Sequence, residues 1–290
     1  MARARIFPRE PRQILTRTGG YLGAFTHTLQ PYVGCQHSCV YCYVREMAVQ
    51  RANPYRLRWS DWISPKTNAP ELLARAARRP GFAEARIFCS SSTDPYTPLE
   101  RRLRLTRGCL EVMVGSPPAA LVVQTRSPLL LRDLDLLRRI PGLAVSFTVT
   151  TDDEEVRRVF EPDSPRFSRR LEVLAALRAA GIPVQAALAP LLPCDPERLA
   201  RALAPVVDRV VVDDLFSGDG AGGRRSAAAL DRLRDMGHEA WARPGQAQRA
   251  LPALRRVLGA QRVGFSQTGF GDLGWIQRDG RDSAVRYITL

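Results

Sequence analysis

A chain of 290 residues with 45% hydrophobic content can bury a full core, as one barrel-sized unit or as one domain with an appendage. No apolar run approaches the roughly 18 residues of a membrane span, and the N-terminal stretch offers nothing apolar enough for a signal peptide, so a soluble, cytoplasmic protein with no membrane partner is expected. The net charge of +14, from 43 basic against 29 acidic residues, points to a polyanion such as nucleic acid as a partner; Lys66 is the only lysine, a skew that genome base composition also produces.

Residues 1–25 read as a basic arm, with Arg3, Arg5, Arg9, Arg12 and Arg17 among prolines and glycines and little apolar periodicity. Such an arm is either a solvated, partly disordered terminus or a contact for nucleic acid. Ala24 to Leu29 form the first predicted strand and deliver the chain to Pro31-Tyr32-Val33-Gly34. There follows Cys35-Gln36-His37-Ser38-Cys39-Val40-Tyr41-Cys42, three cysteines spaced Cys-x3-Cys-x2-Cys. Clustered thiolates in a chain without signs of secretion read as a soft-metal site rather than a disulfide framework. A structural zinc site needs four ligands, usually from two pairs, whereas Cys89, Cys109 and Cys194 stand alone. Iron–sulfur clusters also take four thiolates, so a set of three fits a cubane with one iron left open for a substrate or cofactor. The plain alternative is a helix face of small buried hydrophobes, since spacings of four and three bring the three cysteines together. Pro31, Gly34 and the polar run Gln36-His37-Ser38 favour a loop.

Downstream, Met47 to Arg51 continue as helix until Asn53-Pro54, and then apolar runs alternate with helical patterns. Arg86 to Ser90, Ala120 to Gln124, Leu143 to Val149, Val184 to Leu188 and Arg209 to Val212 read as parallel strands. Leu99 to Val114, Leu129 to Arg139, Phe167 to Ala180 and Pro196 to Val207 carry helical spacing. Thr151 with Asp152, Asp153, Glu154 and Glu155 opens a further helix as a cap and acidic first turn. The Gly-rich stretch Ser217 to Gly223 and Arg224-Arg225 lead into a helix from Ser226 to Met236; a phosphate at its start and a flexible loop are both open readings. Repeated strand–helix units make a parallel α/β fold, and residues 238–290 form a less regular tail.

The cysteine loop is the signature of the radical SAM enzymes, which this sequence resembles. The wider set of Tyr32-Val33-Gly34-Cys35 through Tyr41-Cys42-Tyr43, Thr93-Asp94-Pro95-Tyr96, Thr125-Arg126-Ser127-Pro128-Leu129, Glu161-Pro162-Asp163-Ser164-Pro165 and Ala180-Gly181-Ile182-Pro183-Val184 is similar to the spore photoproduct lyase-like branch. The resemblance implies a partial (β/α)6 barrel of TIM type over residues 26–237, flanked by the basic arm and a C-terminal extension, with the active site at the C-terminal ends of the strands. It implies a 4Fe-4S cluster on Cys35, Cys39 and Cys42. S-adenosylmethionine would chelate the open iron and be cleaved reductively to a 5′-deoxyadenosyl radical, with electrons from a flavodoxin- or ferredoxin-like donor. Tyr43 would lie beside the adenine, Ser92 and Asp94 would line the cofactor site, and Arg126, where the lyase has a lysine, would meet the methionine carboxylate. Ser146 would touch the ribose or methionyl group, a strand serine facing the core being its plain alternative.

One departure concerns the hydrogen donor. The lyase carries a cysteine just before the Ser/Thr-Asp segment that returns a hydrogen atom to the product radical, and the aligned residue here is Ser91. Cys89, two residues earlier, falls on the same face by strand alternation and is the candidate catalytic thiol, with a buried core cysteine as its alternative. Three functions remain in view: a radical SAM enzyme acting on nucleic acid in a photoproduct-lyase-like reaction; one modifying a peptide, nucleotide or natural product; and a non-catalytic iron–sulfur or nucleic-acid-binding protein. The oligomeric state is not legible.

Overall fold

The computed structural model describes residues 4–51 and 53–276; Arg3 of the basic arm and residues 277–290 of the C-terminal extension lie outside them. Eleven strands follow in chain order: β1 (Arg5–Ile6), β2 (Leu15–Arg17), β3 (His27–Leu29), β4 (Tyr32–Gly34), β5 (Trp62–Pro65), β6 (Arg86–Cys89), β7 (Ala120–Thr125), β8 (Leu143–Thr148), β9 (Val184–Leu188), β10 (Arg209–Val212) and β11 (Val263–Phe265). The main sheet has the order β11-β10-β9-β8-β7-β6-β3-β2, and a small one has β1-β5-β4. From β3 through β6 to β10 every pairing is parallel, with β2 antiparallel at one edge and β11 parallel at the other. The six parallel strands of the sequence reading are thus present, hydrogen-bonded in the order β3, β6, β7, β8, β9, β10.

Both faces of the central strands are buried, which is why they read as continuous apolar runs rather than as alternation. Leu121, Val123, Val145, Phe147, Ala186, Val210 and Val212 pack on the helix side, against Leu110, Met113, Leu174, Leu177, Leu203 and Leu254. Phe88, Ala120, Val122 and Ala144 face the other way, where Phe25 and Ile276 close the bottom of the barrel. The cover is built from Ala69–Ala77, Leu105–Gly115, Phe167–Ala179, Pro196–Leu203 and Gln246–Leu258.

Several local readings change. The helix expected from Leu99 to Val114 breaks at Arg104, whose φ of 55° separates Glu100–Leu103 from Leu105–Gly115. The segment from Leu129 is a 3-10 turn, Pro128–Asp133, before a short helix, Leu134–Leu137. The helix Glu154–Phe160 is capped by Asp153, which accepts from Glu155 N and Val156 N; Thr151 donates instead to Pro193 O. The basic arm is pinned by backbone pairing, β1 to β5 and β2 to β3, so from residue 5 onward it is not a loose terminus. Beyond residue 237, Gln246–Leu258 and β11 continue the strand–helix alternation, and β11 hydrogen bonds to β10.

Candidate active site

Strand ends and cysteine loop enclose one open cavity of about 440 Å³, within the size range of small-molecule sites. Its floor and walls come from the C-terminal ends of β6 to β10: Ser90 to Asp94, Gln124 to Arg126, Thr148, Ala189-Pro190 and Asp213 to Leu215. Across from them stand Cys35, Cys39, Cys42, Tyr41 and Tyr43. All six cysteines of the chain are free thiols.

The loop is launched from the small sheet, not directly from β3. Gly34 ends β4 with φ of 78°, and a Cβ there would stand 2.7 Å from Trp62 O, so the turn into Cys35 requires glycine. From Gln36 onward the loop is tied on both flanks. Gln36 Oε1 accepts from Thr97 Oγ1 at 2.8 Å and Leu99 N at 2.9 Å, and Thr93 Oγ1 donates to Gly34 O. On the other side Ser38 Oγ donates to Asp163 Oδ2 at 2.6 Å, Val40 N to Phe160 O at 2.9 Å, and Tyr41 OH to Glu161 Oε1. Glu161 is fully buried and also meets Arg126 Nη1 at 2.8 Å and Arg170 Nη2. Burial alone would raise its carboxyl, but Arg170 and Arg126 hold it down at about 2. A carboxylate with two guanidinium partners and a phenol is therefore the anchor behind the cysteines.

The thiols of Cys35, Cys39 and Cys42 are pushed up to about 11, by burial first and with a contribution from neighbouring cysteines, while Arg126 pulls the other way. Arg126 Nη1 donates to Cys39 Sγ at 2.9 Å, a contact that favours the thiolate. Among the described residues no three His, Cys, Asp or Glu side chains are placed to hold a metal ion together. Three thiols on the wall of one cavity are soft donors of the kind an iron–sulfur cluster takes.

Of the residues read from the sequence, the structure brings Cys35, Cys39, Cys42, Tyr43, Ser92, Asp94 and Arg126 to this cavity. Their partners refine the picture. Asp94 accepts from Tyr96 N and Thr125 Oγ1 on one oxygen and from Arg126 N on the other, so it fastens the end of β6 to that of β7. Ser92 Oγ donates to Gln30 Oε1 at 2.6 Å. Arg126 turns its Nη1 to the cysteine loop and Glu161. Ser146 is not on the cavity wall: it is fully buried between strands and accepts from Gln185 Nε2 at 2.9 Å.

Cys89 is likewise absent from the wall. It is 2% exposed in the helix-side core, while its neighbour Phe88 faces the cavity. The expectation that Cys89 and Ser91 share a face fails because the strand ends at Cys89, so alternation does not extend to Ser91, which does line the cavity. Sequence reasoning missed Glu161 and Asp163 as loop anchors, although they lie in the quoted Glu-Pro-Asp-Ser-Pro segment. It also missed Tyr21, from the arm, which donates to Asp213 Oδ2 on the far wall.

The sequence model of the Radical SAM superfamily matches residues 29–202. An uncharacterized protein of Methanocaldococcus jannaschii is 31% identical over 167 residues, covering 58% of this chain and 61% of that protein. An uncharacterized protein of Mycobacterium tuberculosis is 30% identical over 173 residues, 58% of this chain and 50% of that one. The chain thus spans between half and about three fifths of these relatives. Among solved structures, spore photoproduct lyase complexed with a dinucleoside spore photoproduct superposes with a TM-score of 0.55 at 17% identity, covering 72% of this chain and 61% of that one. A single-site variant of the same lyase gives 0.62 at 15% identity over 90% and 81%. At these identities the likeness is one of fold.

Proposed function

The chain belongs to the radical SAM superfamily, whose enzymes use an iron–sulfur cluster and S-adenosylmethionine, and from that premise we propose that Cys35, Cys39 and Cys42 hold a 4Fe-4S cluster in this cavity. The observation that carries the reading is the convergence of three free thiols, Tyr43 and the ends of β6 to β10 on one space. When bound, the cluster and S-adenosylmethionine would supply a 5′-deoxyadenosyl radical on receipt of an electron from a flavodoxin- or ferredoxin-like donor.

The protein's own share is placement and shielding. Ties through Gln36, Ser38 and Tyr41 hold the loop at a fixed distance from the strand ends, so the cofactor would meet a preformed wall. Arg126 supports negative charge on Cys39. Tyr43 offers a ring for the adenine, and Ser92 and the buried Asp94 line the wall where the polar end of the cofactor would lie. The wall is mainly apolar, which keeps water away from a reactive intermediate.

Nucleic acid is the substrate class the charge of +14 favours, and the fold likeness to a lyase acting on a dinucleoside lesion agrees with it. A photoproduct-lyase-like reaction would need a hydrogen donor other than Cys89. That observation favours, as the second reading, radical modification of a peptide, nucleotide or natural product. Anaerobic reconstitution with iron and sulfide tests the first step. About four irons per chain and release of 5′-deoxyadenosine under reduction are expected, whereas zinc uptake without iron would overturn it. DNA or RNA binding that weakens steeply with salt then selects the first substrate class; no binding at low salt selects the second.

A further inference from the structure

A second cavity, of about 350 Å³, lies behind the first and shares Ser92 with it. Arg9 and Lys66 line it, and no Asp or Glu does. These two residues face each other across an isolated parallel bridge between the arm and the segment after β5, with Arg9 N donating to Pro65 O and Thr67 N to Arg9 O. The pairing sets two basic residues opposite each other in register, Arg9 exposed and Lys66 mostly buried, and like charges placed so are unfavourable neighbours. Lys66 is 9% exposed, so its charge is also largely removed from water. Among the described residues neither side chain has a hydrogen bond or ion pair, although the neighbouring polar groups do. Ser64 donates to Phe7 O, Asn53 spans Leu57 O and Tyr55 N, and Gln30 holds Ser91 and Ser92.

We propose that this cavity is a binding site for an oxyanion of the phosphate class, held between Arg9 and Lys66. An anion there would turn a repulsive pair into a chelate and give a buried ammonium the partner it lacks. Burial and then the Arg9 charge lower the Lys66 amine to about 8, the shift expected of a cation whose counter-charge is missing. Composition adds an independent argument. Lys66 is the one lysine among 43 basic residues, so a chain that otherwise uses arginine keeps a compact, rotatable ammonium at this one mostly buried position. A guanidinium is larger and rigid. Tyr55 and Trp62 line the same cavity.

The test needs neither cluster nor S-adenosylmethionine, so it stands or falls apart from the reading of the first cavity. Protein grown with lysine labelled at the ε-carbon gives a single side-chain resonance, and inorganic phosphate is titrated in at constant ionic strength with chloride as control. A saturable shift of that resonance is expected, along with a higher apparent pKa of the amine. Arg9→Gln, at an exposed position, should weaken the phosphate effect by roughly tenfold, the equivalent of one charge-assisted hydrogen bond. An unmoved resonance, or an identical titration in Arg9→Gln, overturns the site. Protection by a nucleoside monophosphate at far lower concentration than inorganic phosphate would mean that the anion is borne by a larger ligand. Equal potency would mean a free anion; both results support the site.

Discussion

The cysteines divide between two regions of the molecule that look alike by burial and behave as opposites in surroundings. Cys35 and Cys39 are 7% and 5% exposed, and Cys89 and Cys109 are 2% and 1%. Burial raises the thiols of both sets. Around Cys89 and Cys109, however, lie Leu110, Met113, Leu121 and Val123, and packing fixes their positions. Around the loop cysteines lie Arg126, Asp94, His37 and Glu161, and named hydrogen bonds fix the geometry. Burial of a thiol therefore says little about its use. Access to a shared cavity and a polar frame behind it are what separate the loop cysteines, the proposed ligands, from the core ones.

The sharpest way to break this comparison is to remove thiols from each region. Cys35→Ala, Cys39→Ala and Cys42→Ala should each abolish most iron uptake and S-adenosylmethionine cleavage. Cys89→Ala should keep both, leave the product unchanged and cost about 1 kcal/mol through lost packing. Iron content, 5′-deoxyadenosine yield and the denaturation midpoint read the three effects. A changed product in a well-folded Cys89→Ala variant would return that thiol to the mechanism.

Next in size is the frame itself. Glu161→Ala leaves the Arg170 guanidinium, 1% exposed, and Arg126 without their shared carboxylate, and breaking a buried pair from one side costs about 3–5 kcal/mol. The loss should be regional as well as global: amide exchange at Val40 and Cys42, bonded to Phe160 O and Cys39 O, should quicken more than exchange in β8. Uniform acceleration would mean that Glu161 belongs to the core and not to the loop. Gly34→Ala asks the same of the loop's entry. With φ of 78° and a Cβ 2.7 Å from Trp62 O, it should cost about 1–3 kcal/mol and lower cluster occupancy, while the apolar layer keeps its exchange protection.

The two regions also differed in how far the sequence revealed them. The strands of the apolar layer announced themselves because short runs such as Val184 to Leu188 and Arg209 to Val212 are buried on both faces, and both match the structure end to end. The cluster of three cysteines was equally plain from its spacing. What was hidden is the frame, since Glu161 reaches Tyr41 across 120 residues and no local pattern encodes such a pairing. Alternation failed at Cys89 because it holds only while the strand lasts. Ser146 was misplaced for a related reason: on a strand buried on both faces, a serine gives no sign of which polar neighbour it has. Tyr21 was unreadable in an arm that carries no periodicity, yet its hydroxyl closes the cavity against Asp213.

That far wall supplies an effect read only as a slope with pH, and shows that the site region holds a carboxylate at a cost. Burial raises the Asp213 carboxyl to about 6 and Asp214 adds to the rise, even though Tyr21 donates to it. An unfolded aspartate ionises near pH 3.9, so between about pH 4 and 6 the unfolded chain releases a proton that the native state keeps. Stability from this group is then fully present below pH 4, falls as pH rises through 6, and is level above that, by at most about 3 kcal/mol. Asp213→Asn keeps the shape and a hydrogen-bond acceptor for Tyr21 but cannot ionise. Subtracting the variant's denaturation free energies from those of the wild type at pH 4.5, 5.5 and 7 should isolate the slope. A flat difference would show that water reaches Asp213 freely, and that the wall facing the cysteines is as wet as the loop rim.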